Sequence, residues 1–237
     1  MSFARVIEPE WLDELPAADP RAVRSRRDLR RVNRWMLQAG IMARTMRAAC
    51  GTRKPRTVLE LGAGDGSFML SVARRLARDW RSVKLLLLDR KNIVSDGTRD
   101  AFRSLGWDAE SVSADVFDYL QKCRASDADL VTANLFLHHF SDDQIAKIFA
   151  LGAGMGAAFA ACEPQRARSA LAGSHLLWAI GCNDVSRHDA VVSVRAGFRD
   201  RELSRLWPNH TRYELREASA IPFTHCFSAR GLSGAQA

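Results

Sequence analysis

No window of the chain approaches 18 consecutive apolar residues, which excludes a membrane-spanning helix. The opening stretch MSFARVIEPEWLDELP carries acids where a secretory signal would carry an apolar run, so a cytoplasmic location is expected. Cys-x-x-Cys pairs are lacking. The cysteines at 50, 123, 162, 182 and 226 are odd in number and scattered, so they read as free thiols in a reducing compartment. Internal repeats and low-complexity tracts are also absent. What is present, 237 residues with 47% hydrophobic and 26% charged, is the balance of a soluble globular chain. It suffices for one large domain or one domain with an extension.

The net charge of +8 is lopsided. Residues 1–56 hold 13 basic against 6 acidic residues, and the remaining 181 are nearly neutral. Within that basic segment, Asp19-Pro20 reads as a helix start. Ala22, Leu29, Val32 and Met36 fall on one face at helical spacing, and Arg24, Arg27, Arg31 and Arg34 on another. The spacing predicts an amphipathic helix over 20–38 and a second helix to about residue 50. Its outward arginines form a solvated face, with Asp142 and Asp143 as acids they can pair.

After Lys54-Pro55, short apolar runs alternate with helical stretches. Strands are expected at 57–61, 83–88, 110–114, 128–137 and 157–162, with a final antiparallel pair at 212–218 and 224–229. Helices are expected after the glycine turn, around 95–105, after Ser141, and over 166–182 and 199–206. Ser141 with Gln144 is a capping-box signature. This alternation argues for a doubly wound α/β sheet. The boundaries expected are an N-terminal helical extension or lid over 1–54 and a core over 55–237, with a helical insert at about 166–198.

The most informative stretch is VLELGAGDGSF, residues 58–68: strand, Gly62-x-Gly64-x-Gly66, helix. Glycines are needed where the backbone leaves a strand sharply and where a ligand lies against the main chain. The spacing is not the Gly-x-Gly-x-x-Gly of a pyrophosphate-binding turn, which disfavours a nicotinamide oxidoreductase. Glu60 precedes the first glycine. Asp89 ends the next strand, where a carboxylate accepts two hydrogen bonds from a ribose diol. Asp115 closes the strand after that, where a carboxylate accepts from an adenine amino group.

ELGAGDG, Asp89 and Asp115 together resemble the successive cofactor motifs of class I S-adenosylmethionine-dependent methyltransferases, over roughly residues 55–165. The resemblance implies a Rossmann-like, doubly wound seven-stranded sheet with an antiparallel last strand. It also implies S-adenosylmethionine as cofactor, held by Glu60, Gly62, Ala63, Gly64, Gly66, Asp89, Arg90, Asp115, Val116, Asn134 and Leu135. The segment LHHFSDD, 137–143, is similar to one in small-molecule phenol O-methyltransferases whose first histidine is the general base, which puts His138 in that role. An imidazole suits the task because its unperturbed pKa of about 6.5 lets it take a phenolic proton near neutrality. His139 is the alternative, and His188, in RHDAVVSVRAGF, is a secondary acid/base candidate.

That last segment and Arg31-Val32-Asn33-Arg34 resemble parts of the bacterial small-molecule methyltransferases found beside type III polyketide synthases. This chain is shorter than that group after Leu206-Trp207-Pro208. The implied reaction is O-methylation of a phenol, quinone or polyketide-derived hydroxyl on a small-molecule substrate. Trp35, Met36, Leu176, Leu177, Trp178 and Ile180 are candidates for an apolar substrate wall. An RNA-modifying methyltransferase is the alternative, suggested by the basic segment. It is disfavoured because residues 134–137 read Asn-Leu-Phe-Leu, without the prolines of nucleobase amino-methylating enzymes. No metal constellation is expected, since the acids near the site are taken by the cofactor. A homodimer is left open.

Overall fold

The chain, seen as a computed structural model, is described over residues 3–232; the first two residues and 233–237, the tail of the expected core, lie outside the described residues. The N-terminal segment holds α1 (Trp11–Glu14), α2 (Pro20–Trp35) and α3 (Gln38–Cys50). There follow β1 (Thr57–Leu61), α4 (Ser67–Leu76), β2 (Val83–Asp89), α5 (Asp96–Arg103), β3 (Trp107–Ser113), α6 (Val116–Leu120) and β4 (Leu130–Asn134). The second half is α7 (Asp142–Gly154), β5 (Ala158–Pro164), α8 (Arg168–His175), α9 (Asp184–Ala196), α10 (Glu202–Leu206), β6 (Tyr213–Ala220) and β7 (Thr224–Gly231). The strands form one seven-stranded sheet in the order β3-β2-β1-β4-β5-β7-β6. β7 runs antiparallel to both β5 and β6. No helix of the described residues is long and apolar enough to cross a membrane.

Strand alternation divides the core. Val58, Leu85, Leu87, Leu130 and Ala160 point to one face, where α3, α4 and Phe102 of α5 cover them. Leu59, Leu61, Leu86, Leu88, Val131 and Phe159 point to the other, under α6, α7 and α10. Residues buried on both faces explain the continuous apolar run of β2. The segment 1–54 divides in two by its packing. α3 belongs to the first core face, with Met42 and Met46 fully buried. α1 and α2 lie against α9 of the insert.

Several boundaries depart from the sequence reading. β3 begins at Trp107, three residues early, because Gly106 (φ 75°) turns the chain straight into it and the buried Trp107 indole donates to the Trp80 carbonyl at 3.0 Å. β4 stops at Asn134 because Leu135 enters the left-handed region at φ 50°, and 137–139 wind into a 3₁₀ turn. The helix expected over 20–38 ends at Trp35, with Leu37 left-handed before α3 starts. α9 falls inside the helical insert expected at about 166–198, past the stretch 166–182 read as continuous helix, and the Asn183 side chain caps it by accepting from the Ser186 N–H at 2.9 Å.

The buried face of α2 also differs. Ala22, Ser25 and Asp28 are buried, whereas Leu29 is exposed. α2 binds the insert through polar contacts: Asp28 accepts from the Asn183 N–H at 2.8 Å, and Ser25 from the Ser186 hydroxyl at 3.0 Å. Its apolar residues Leu29, Val32 and Met36 line a cavity instead. Nor do its arginines pair with Asp142; that acid is met by Arg5 at 2.8 Å.

Phe149 of α7 is fully buried and packs on Phe159, Phe227 and Trp207, with ring centroids 5.0–5.2 Å away. We expect Phe149→Ala to cost about 3–5 kcal/mol in urea denaturation, the range for removing a large aromatic from a packed core.

Candidate active site

A cavity of about 940 Å³ opens at the C-terminal ends of the parallel strands, where ligands of open α/β sheets bind. Glu60, Gly62, Ala63, Gly64, Asp89, Arg90, Asp115, Val116, Asn134, Leu135, His138 and His139 all line it. Gly66 lies behind the loop as the residue before α4, and His188 lies outside this cavity. The insert and α2 supply the opposite wall, with Trp35, Met36, Leu177 and Ile180 on it. Leu176 and Trp178, expected there, point to solvent, because the 3₁₀ winding of 176–180 turns only part of that run inward.

The glycine loop is shaped by steric necessity. Gly62 has φ 71°, and a Cβ there would sit 2.3 Å from the Phe136 ring. The loop is tied to β2: the Gly64 N–H donates to Asp89 Oδ2 at 2.8 Å and the Lys91 N–H to Oδ1 at 2.8 Å. Each Asp89 oxygen thus keeps acceptor capacity toward the cavity. Asp115 caps α6 by accepting from the Phe117 N–H through Oδ1.

Glu60 is the anomaly. It is 2% exposed, and its Oε2 is buried without a hydrogen-bond partner. Burial, with Asp89 and Asp65 nearby, pushes its carboxyl well above the usual range. On the other side of the cavity, Asn134 Oδ1 accepts from Gln38 Nε2 at 3.1 Å, and Gln38 Oε1 accepts from the Thr224 hydroxyl at 2.7 Å. The last β-hairpin and α3 therefore fix the Asn134 side chain.

His138 is fully enclosed by two carboxylates. Its Nδ1 lies 2.8 Å from Glu163 Oε2 and its Nε2 3.1 Å from Glu10 Oε1. Burial opposes a charge on the ring, but the bonds to Glu10 and Glu163 outweigh it and raise the imidazole to about 9. Burial and the adjacent His138 hold His139 below its ordinary value. Glu163 also accepts from the N–H groups of Phe136 (3.1 Å) and Leu137 (2.9 Å). Glu10 accepts a further bond from the Ser193 hydroxyl of α9. His188 stacks on Trp11 at 3.9 Å and bonds Asp189, whose carboxylate also accepts from the N–H groups of Trp11 and Leu12.

Glu10, Gln38 and Glu163 escaped the sequence reading, whereas Ser193 stands in the segment RHDAVVSVRAGF that it singled out. Glu163 had a signal: it stands at the C-terminal end of a parallel strand, but that strand was expected to stop at Cys162. Glu10 had none, since it meets His138 across 128 positions of chain.

No family model and no curated protein sequence matches the chain. Solved structures do share its fold. An O-methyltransferase family protein from Burkholderia thailandensis superposes with a TM-score of 0.60 at 19% identity, over 92% of this chain and 62% of that one. The plantazolicin methyltransferase BpumL, bound to S-adenosylhomocysteine, gives 0.61 at 11% identity, over 91% of this chain and 92% of that one. A second BpumL structure, holding a monoazolic desmethylPZN analog as well, matches equally. The seven-stranded architecture with an antiparallel β7 is thus the Rossmann-like methyltransferase fold.

An acid held above its unfolded pKa costs stability as pH rises. Below about 4.5 both states are protonated, while at higher pH only the unfolded state releases the proton freely. Glu60→Gln removes that penalty. In the absence of ligand we expect it to raise the melting temperature at pH 7–8 by roughly 2–4 °C, equivalent to about 1 kcal/mol at this chain length, and to change nothing near pH 4. Paired thermal melts at the two pH values check this.

Proposed function

We propose that the chain transfers the methyl group of S-adenosylmethionine to a hydroxyl of a small molecule, a phenol, quinone or polyketide-derived alcohol. The observation that carries this reading is the buried, unpartnered Glu60 carboxyl beside the glycine loop. A buried carboxyl with a free oxygen at the wall of a cavity is suited to a cationic or donor group of a ligand. The ammonium end of S-adenosylmethionine is such a group. The fold shared with methyltransferases, one of them bound to S-adenosylhomocysteine, points the same way.

The residues fit the rest of the cofactor. Asp89 has acceptor capacity left for a ribose diol after its two backbone bonds. Asp115 Oδ2 is free for an adenine amino group, with Val116 beside it. Bound there, the cofactor supplies an electrophilic sulfonium methyl. The protein's part is to hold a hydroxyl in line with it and to receive the proton. His138 is the proposed proton acceptor, with Glu163 holding Nδ1 so that Nε2 serves the Glu10 side of the cavity. Its two carboxylate neighbours favour the protonated ring. Positioning of the substrate therefore carries much of the rate. Leu29, Val32, Met36, Leu177 and Ile180 supply an apolar wall suited to an aromatic substrate.

The basic N-terminal segment supports a lid rather than a polymer-binding surface. Arg30 reaches Asp65 of the glycine loop at 2.7 Å, Arg31 pairs with Asp28 at 3.0 Å, and Arg5 bonds Asp142 and two carbonyls. These guanidinium groups are engaged within the chain.

Titration calorimetry should show S-adenosylhomocysteine binding to the wild-type chain. Asp89→Ala is expected to weaken it about 10–100-fold, the value of one or two charge-assisted hydrogen bonds. Absence of binding to the wild type would discard the reading. With substrates identified by mass spectrometry of the protein's bound products, His138→Ala should lower kcat about 10²-fold or more near pH 9, where the ring gives up its proton, and less at pH 7, where the ring is mostly protonated. Full turnover would leave positioning as the sole contribution.

A further inference from the structure

Glu10, His138 and His139 meet on one wall of the cavity, each offering a donor atom within 4.8 Å of the others. Asp13 Oδ2 stands 3.7 Å from His139 Nδ1, at the edge of the group. Arg5 and Lys91, which approach the same segments, are engaged elsewhere: Arg5 with Asp142 and the carbonyls of His138 and Phe140, Lys91 with the carbonyls of Leu12, Asp13 and Leu15.

The key feature is the second bond of His138. Glu163 is a pure acceptor when ionised, so the 2.8 Å contact puts a proton on Nδ1. When the ring carries only that proton, its Nε2 lone pair is aimed at Glu10 Oε1, 3.1 Å away, acceptor against acceptor. Such a pair needs a cation between its members. A second proton on the ring is one solution and a metal ion is the other. A carboxylate holding the remote nitrogen of a histidine is also the usual outer support of a metal-bound imidazole. Donor atoms on one tetrahedral ion lie about 3.4 Å apart, given bond lengths of roughly 2.0–2.1 Å. The Glu10–His138 separation is already close to that. His139, its side chain 24% exposed against 12% for Glu10 and 2% for His138, is the least enclosed member.

We propose that Glu10, His138 and His139 form a binding site for a divalent transition-metal ion, best matched by Zn²⁺. Two imidazoles and one carboxylate select such borderline ions over Mg²⁺, which prefers an all-oxygen shell. Three protein ligands leave coordination positions open toward the cavity. A hydroxyl entering there would become more acidic; with the ion on Nε2, His138 would no longer take the proton, which would pass to water in the cavity. This consequence for methyl transfer rests on the function proposed above; the binding of the ion does not.

The test titrates the full chain, stripped with a chelator, with Co²⁺, whose visible absorption reports its ligand geometry. The wild type is expected to take up one equivalent, displaced by Zn²⁺ and not by Mg²⁺. Glu10→Ala and His139→Ala should each lose more than tenfold in affinity, and Glu163→Gln about 10–100-fold through its supporting bond. Circular dichroism and a thermal melt confirm that each variant is folded. No stoichiometric uptake would overturn the proposal. So would folded Glu10→Ala and His139→Ala that bind Co²⁺ like the wild type, since the ion would then sit on another histidine such as His175 or His210. S-adenosylhomocysteine calorimetry on the same samples separates the two readings. Cobalt uptake without S-adenosylhomocysteine binding discards methyl transfer and keeps the metal site; the converse discards the metal alone.

Discussion

Glu163 is a carboxyl buried within the fold, and the site is assembled around the hydrogen bonds it accepts. It is fully buried at the end of β5. An isolated carboxylate in that position would be prohibitively costly, so donors must converge on it. They come from the segment after β4: the N–H groups of Phe136 and Leu137 and the His138 ring. That requirement explains the local backbone. β4 ends early, Leu135 takes a left-handed conformation, and the chain coils into a 3₁₀ turn, all of which bring successive N–H groups to one point. Cross-strand pairing of Asn134 with Cys162 sets the register that makes this possible.

The same constraint propagates outward to α1 and the residues before it. With Nδ1 occupied by Glu163, the other edge of His138 faces Glu10, and Glu10 in turn accepts from Ser193 of α9. Four residues earlier, about one helical turn away, Asp189 of α9 accepts from the N–H groups of Trp11 and Leu12, so its carboxylate anchors α1. His188 stacks on Trp11 beside it. α1 and the residues before it are therefore held by polar contacts to α9 and by little apolar burial; Val6, Ile7 and Trp11 are all exposed. Segments held in this way open at lower free energy than the core does. The wall that carries Glu10 is consequently the easiest one to move, while Glu60, Asp89 and Asp115 stand on the sheet and its first turns.

This division also explains what the sequence could show. Strand periodicity, the glycine turn and the strand-end acids Glu60, Asp89 and Asp115 are local signals, and each landed at the cavity because sheet topology brings the ends of β1, β2 and β3 together. Glu10 and Gln38 carry no local signal: one lies in an irregular segment and the other follows a left-handed Leu37. Their partners are 128 and 96 residues away. The amphipathic reading of α2 failed for a related reason. Its apolar stripe does not face the core but lines a cavity, while the face it buries is polar, held through Ser25 and Asp28. Periodicity reports that a helix has two faces; it does not say which one meets protein and which meets ligand.

Glu60 and Glu163 complete the argument by contrast. Both are buried glutamates at the C-terminal ends of parallel strands, in β1 and β5. Glu163 has donors for both oxygens, so its cost is met within the fold and it acts as scaffold. Glu60 has an oxygen with none, and neighbouring Asp89 and Asp65 make its ionisation harder still. A fold that tolerates such a group holds unspent electrostatic potential at one point. A donor or cationic ligand group that reaches it gains a hydrogen bond in a low-dielectric wall. The polar residue that the protein leaves unsatisfied is thus the better guide to binding, and the one it satisfies fully is the better guide to architecture.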